Sequence, residues 1–179
     1  MDQNNIQPQV TGGSSNKLRY IIGGVIIIIV IGLGSKLLFR GAVDSAIKDA
    51  TGANVERSLN GATTYSNDEG SVTVGATSYP DTWPADAPRY PNGTINFSGS
   101  SNPQTGEAGA AVSLQTSDSV AAVIAFYKKE LQAKGWTIQG EANAGGVSTI
   151  AAVKNDTTFG VYAVSTGSAT QVTAGIGTK

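Results

Sequence analysis

Hydrophobic and polar positions divide this chain into unlike stretches. Residues 1–17 are rich in Gln, Asn, Gly and Ser without periodicity, and read as a disordered tail. From Leu18 the pattern turns continuously apolar. Sixteen residues, Tyr20 to Ser35, carry no charge; Lys36 interrupts, and Leu37–Phe39 resumes the run. A bilayer-spanning helix needs about 20 apolar residues. The stretch 18–39 reaches that length if Lys36 snorkels its ammonium to the headgroups. It is predicted as a transmembrane helix, with Tyr20, Ile21, Ile26, Ile29, Ile31, Leu33, Lys36 and Phe39 as anchor residues. A cleaved signal peptide is the rival reading, with Gly32 to Ser35 as a weak cleavage site. The long polar start and the apolar Leu37–Phe39 argue against it.

Beyond the apolar run the period becomes helical. Phe39, Ala42, Val43, Ala46, Ile47 and Ala50 recur at steps of three and four, and Gly52 is a stop signal. Residues 40–52 are predicted as a stalk helix with a small-residue face. Residues 53–93 hold a hairpin and a Pro-rich connector. In the hairpin, Ala62–Tyr65 and Ser71–Val74 flank the turn residues Asn67–Gly70, for which a three-to-five-residue loop is expected. In the connector, Trp83 and Tyr90 are expected to pin an irregular, proline-stiffened chain to the domain.

Residues 94–179 alternate regularly. Strands are predicted over 94–98, 110–116, 136–140, 147–153, 158–164 and 171–176. Their turns are Gly145-Gly146, Asn155-Asp156 and Gly167-Ser168. Between the second and third strands lies one helix. Ser117-Asp118 is expected to cap it. Val120, Val123, Ile124, Tyr127 and Leu131 form its apolar face, and Gly135-Trp136 closes it as a Schellman cap. The fold class expected is therefore α+β. An N-terminal transmembrane helix plus stalk leads, after a β-hairpin, to an antiparallel sheet with one packed helix in the order β-β-α-β-β-β-β.

Charge and composition then narrow the function. From Gly41 onward there are twelve acids and eight bases, and no basic cluster exceeds Lys128-Lys129. A nucleic-acid binder shows a basic face, so no nucleic-acid partner is expected. The chain has no cysteine and no histidine. Thiolate chemistry and a lipid-modified cysteine are excluded, and the commonest general base and metal ligand are missing. No cofactor, no metal site and no catalytic residue are expected.

The run Thr116-Ser-Asp-Ser-Val, followed by Phe126-Tyr-Lys, Glu130-Leu and Gly135-Trp136, resembles a module of uncharacterised bacterial envelope proteins and lipoproteins. Tyr90-Pro91 and the Asp81–Pro84 segment share the resemblance, which covers about residues 45–176. The resemblance implies an envelope role but no activity and no site residues.

The function expected is a single-pass, membrane-anchored, non-catalytic module with a binding or structural role at the cell envelope. Its N-terminus is expected in the cytoplasm and its C-terminal domain outside. The partners expected are the lipid bilayer and either an envelope protein or a second copy met through the stalk. Two alternatives belong to other classes. One is a pilin-like filament subunit, disfavoured because Arg19-Tyr20-Ile21 is no prepilin cleavage site. The other is a carboxylate-dependent hydrolase, which would need paired acids that this sequence spends on turns and helix surfaces.

Overall fold

In a computed structural model of the chain, residues 52–59, 61–68, 70–101 and 108–178 are described. They form nine strands and one helix. In chain order these are β1 (Asn54–Arg57), β2 (Thr63–Asn67), β3 (Gly70–Val74), β4 (Thr94–Ser101), β5 (Gly109–Thr116), α1 (Val120–Ala133), β6 (Thr137–Ala144), β7 (Val147–Lys154), β8 (Thr157–Ser165) and β9 (Thr170–Thr178). All nine strands join one sheet in the order β1-β2-β3-β4-β5-β9-β8-β7-β6, and the neighbours pair antiparallel. After β5, α1 carries the chain to the far edge. β6 to β9 then fill the sheet back to β5 as successive hairpins.

Period-2 patterning decides which face is covered. Val112 and Leu114 on β5, Ile150 and Ala152 on β7, Phe159, Val161 and Ala163 on β8, and Val172 and Ala174 on β9 are all buried. The hairpin turns supply the backbone that this register needs. Gly145 and Gly146 have φ of 60° and 81°, and Asn155 has φ of 52°. Positive φ at such positions matches the twist of the flanking strands.

The helix has a buried stripe of Val123, Tyr127 and Leu131, each 0 % exposed. It packs on β6, β7 and β8. Its N-cap is Ser119, whose hydroxyl accepts from the Ala122 amide at 3.2 Å. The cap thus falls one residue later than the Ser117-Asp118 pair suggests. The C-terminal end closes as a Schellman motif. The Trp136 amide donates to the Leu131 carbonyl at 2.9 Å, and the Gly135 amide to the Gln132 carbonyl at 3.1 Å. Gly135 has φ of 78°, a conformation costly for any residue with a Cβ.

The Pro-rich stretch 79–93 is a strap over the same face. Trp83 and Tyr90 are 3 % and 6 % exposed. Near the helix C-terminus, the Trp136 indole donates to the Asp86 carbonyl at 3.0 Å, and the Lys154 ammonium pairs with the Asp86 carboxylate at 2.8 Å. Near the helix N-terminus, the strap is tied through Tyr90 (below). It ends at Gly93, where an added Cβ would stand 2.5 Å from a methyl of Leu114. Trp83 from the strap, Tyr127 from α1 and Trp136 from the cap converge on Phe159 of β8. Their ring centroids lie 6.0, 6.0 and 5.7 Å from its own.

Two features correct the architecture expected. The hairpin is no separate element ahead of a six-stranded module. β1, which the pattern did not predict, joins β2 and β3 in a sheet that runs unbroken into β4. The Asn67–Gly70 pairing leaves two residues in that turn, fewer than the three to five expected. Pairing β3 with β4 depends on Gly70, whose added Cβ would collide with the Ser100 carbonyl. Secondly, among the described residues no helix is long and apolar enough to cross a membrane. The fold class is therefore, among the described residues, a nine-stranded antiparallel sheet with one helix, and the transmembrane-helix and single-pass reading finds no such helix there. Residues 18–39, with all the anchor residues from Tyr20 to Phe39, lie outside the described residues, as does the stalk up to Thr51.

Phe159→Ala removes the ring on which strap, helix and cap all pack. It is expected to cost about 3–5 kcal/mol in a denaturant titration. Tyr127→Phe is expected to do the opposite. Among the described residues the Tyr127 hydroxyl is buried with no hydrogen bond of good geometry, its polar neighbour being the Tyr79 hydroxyl. Its removal leaves stability unchanged or raises it by about 1 kcal/mol in the same titration.

Candidate functional site

Bulky side chains fill the half of the helix–sheet interface that holds Tyr127, Leu131 and Trp136. Toward the helix N-terminus the residues are smaller, and a groove of about 770 Å³ opens there. One wall is α1, with Val120, Ala121, Ile124, Ala125 and Lys128. The sheet contributes Asn143 of β6, Ser148 of β7, Ser165 of β8 and Thr170 of β9. Gly146 and Gly167-Ser168, from the two hairpin turns at this end, complete the rim. A second hollow, of about 150 Å³, lies between the strap and the opposite strand ends and is lined by Pro84, Ala110 and Ile176 among others.

The groove's two charged side chains are both occupied. Asp118, just before the N-cap, accepts from the Tyr90 hydroxyl at 2.6 Å and from the Asn92 amide at 3.4 Å. Its backbone is fixed as well: its amide donates to Thr116 Oγ1 at 3.2 Å, and its carbonyl accepts from Thr170 Oγ1 at 2.7 Å. The hydrogen bond from Tyr90 holds the Asp118 carboxyl below the usual carboxylate range. Burial, reinforced by that same carboxylate, pushes the Tyr90 phenol up to about 12. At the other end the Lys128 ammonium contacts both Glu141 oxygens at 2.9 Å. The pair is about two-fifths exposed on each side, so it cancels local charge and adds little stability.

The remaining lining is neutral. Apolar groups come from the helix, and hydroxyls and one amide come from the strand ends. Among the described residues no group of three His, Cys, Asp or Glu side chains is placed to hold a metal ion. The sequence predicted no catalytic, cofactor or metal residue, and the groove residues were missed as a set. Asp118 read as a helix-start charge, whereas its partner Tyr90 lies 28 positions away. Ser148 read as one small residue in a strand. The only signals in the sequence were the helix motif and the glycine turns that now frame the rim.

Residues 97–172, from β4 into β9, match the START domain-like family model. The match spans less than half of the chain and includes all the residues that line the groove, but assigns no activity. No curated protein and no solved structure matches the chain.

Tyr90→Phe tests the electrostatic joint at the rim. A carboxylate whose pKa is depressed by folding stabilises the fold above its unfolded-chain pKa, and that contribution is lost as pH falls through the folded value. In the Tyr90→Phe protein the Asp118 carboxyl is expected to titrate closer to the ordinary 3.8. The acid-side loss of stability should shrink accordingly. Carboxyl NMR titration with pH-dependent denaturation checks both.

Proposed function

We propose that this chain is a non-catalytic binding module whose ligand lies in the groove between the N-terminal half of α1 and the glycine turns of β6–β7 and β8–β9. The observation that carries this reading is the groove's make-up: a concave, largely apolar surface with a few polar groups and both charges already paired. Sites that hold small molecules have this composition. The similarity to the START domain-like family over β4 to β9 favours a ligand-binding fold. The helix motif's resemblance to bacterial envelope modules favours a role at the cell envelope.

The hydrolase alternative is less well supported. General acid–base work by carboxylates needs two of them with pKa values pushed apart. The groove is lined by a single carboxylate, Asp118, and its pKa is lowered.

The test is a small-molecule screen on the full chain by amide NMR. Binders are expected to shift the signals of Ile124, Ser148 and Thr170. Ala121, exposed on the groove wall, offers a way to fill the space without touching the core. Ala121→Trp is expected to weaken such binders at least tenfold while leaving the thermal midpoint near that of the parent. Binders that map elsewhere, or that ignore Ala121→Trp, would remove the groove from consideration.

A further inference from the structure

The groove's polar groups differ in what they still have to give. Thr170 spends its hydroxyl on the Asp118 carbonyl, and Ser119 accepts from the Ala122 amide. Ser165 and Ser168 are exposed, so water serves them. Ser148 is different. It is 5 % exposed, sits on the same face of β7 as the core residues Ile150 and Ala152, and lines the groove. Among the described residues its hydroxyl has no protein partner, yet it is not one of the sealed, unsatisfied polar atoms, so it is reached from the groove. Water in the groove serves this hydroxyl, and a ligand that replaces that water must offer it a hydrogen bond in turn.

The two charges point the same way. An anionic ligand would have to compete with Glu141 for Lys128, or approach Asp118. A cationic ligand would have to draw Asp118 away from the Tyr90 hydroxyl at 2.6 Å. Asp118 is already held by Tyr90 and Asn92, and the solvated Lys128 is already neutralised by Glu141, so neither offers an incoming ion an unpaired charge. A neutral ligand disturbs neither.

We infer that the groove selects an uncharged small molecule with an apolar flank, anchored by one hydroxyl or carbonyl group hydrogen-bonded to the Ser148 hydroxyl. The inference rests on the groove being the binding site and adds the ligand's charge and its anchor. The apolar flank lies against Val120, Ala121, Ile124 and Ala125. The ligand's polar atom reaches the floor at Ser148, whose hydroxyl serves equally as donor or acceptor.

The experiment uses three probes that share one six-carbon tail: 1-hexanol, hexanoate and hexylamine, the last two ionised at pH 7. Each is titrated into the full chain while the amide signals of Ile124, Ser148 and Ala163 are followed. 1-Hexanol is expected to bind at least fivefold more tightly than either ion. Ser148→Ala is expected to weaken 1-hexanol about fivefold. The same variant should melt close to the parent's temperature, because the hydroxyl it loses makes no bond within the described protein. That pairing separates an anchoring role from a structural one, which would lower the melting temperature. An ion binding as well as 1-hexanol overturns the selection for neutral ligands and leaves the groove standing. Unchanged 1-hexanol affinity in Ser148→Ala overturns the anchor. Failure of all three probes to move these signals overturns the groove itself.

Discussion

The structure depends on the meeting of three aromatic side chains at Phe159. A single sheet must cover one face to have a core at all, and the helix of the described residues packs mainly on β6, β7 and β8. The strap brings in the rest. Trp83 comes from the strap, Tyr127 from the helix and Trp136 from the cap that ends the helix, and β8 presents the ring they share. Tyr90 extends the cluster, stacking on Tyr127 at 5.9 Å and meeting Phe126 edge-on at 5.0 Å. Such contacts favour particular ring geometries as well as burying area. They therefore fix where the strap and the helix lie relative to the sheet.

The groove follows from the same distribution of bulk. Tyr127, Leu131 and Trp136 fill the interface toward the helix C-terminus. The opposite end offers Ala121, Ala125, Ser148 and Thr170, and these cannot fill the space between helix and strand ends. The helix is held at the spacing its aromatic half demands, so the small-residue half stays open. In a close-packed interior a gap of this size would be lost contact energy. On the surface it is a concave site made at little cost to the core.

Local features of the fold were legible in the sequence, and non-local ones were not. Gly135-Trp136 after an apolar helical stripe announces its own Schellman cap, because every atom of that motif lies within six residues. The glycine and Asn-Asp turns are equally local. The pairing of β3 with β4 is not. Nineteen residues lie between these strands, and nothing in Ser71–Val74 marks Phe97–Ser101 as its partner. β1 is only four residues long, below the length at which alternation is readable. The groove suffered most. Its members come from α1 and four strands, and Ser148 differs from other strand serines in being buried while it faces the groove, a property that exists only once the chain has folded. The apolar run at 18–39 led the expected fold class away from the observed one. Its pattern dominated the reading, whereas the described architecture is set by the weaker alternation after it.

Asp118 joins the strap to the strand end of the groove. Its carboxylate is held by Tyr90 and Asn92 of the strap, and its carbonyl by Thr170 at the start of β9. The strap in turn is tied at its other end by Trp136 and Lys154. The entrance to the helix, one strand end of the groove and the whole strap therefore belong to one bonded circuit. A groove framed in this way pays most of its ordering entropy during folding, before any ligand arrives, and pre-ordering of that kind is what lets a modest contact area give useful affinity. The glycine turns at the rim lie outside the circuit. The β8–β9 turn is held by its own local bonds, from the Thr166 amide and hydroxyl to the Ala169 carbonyl, and not by the strap.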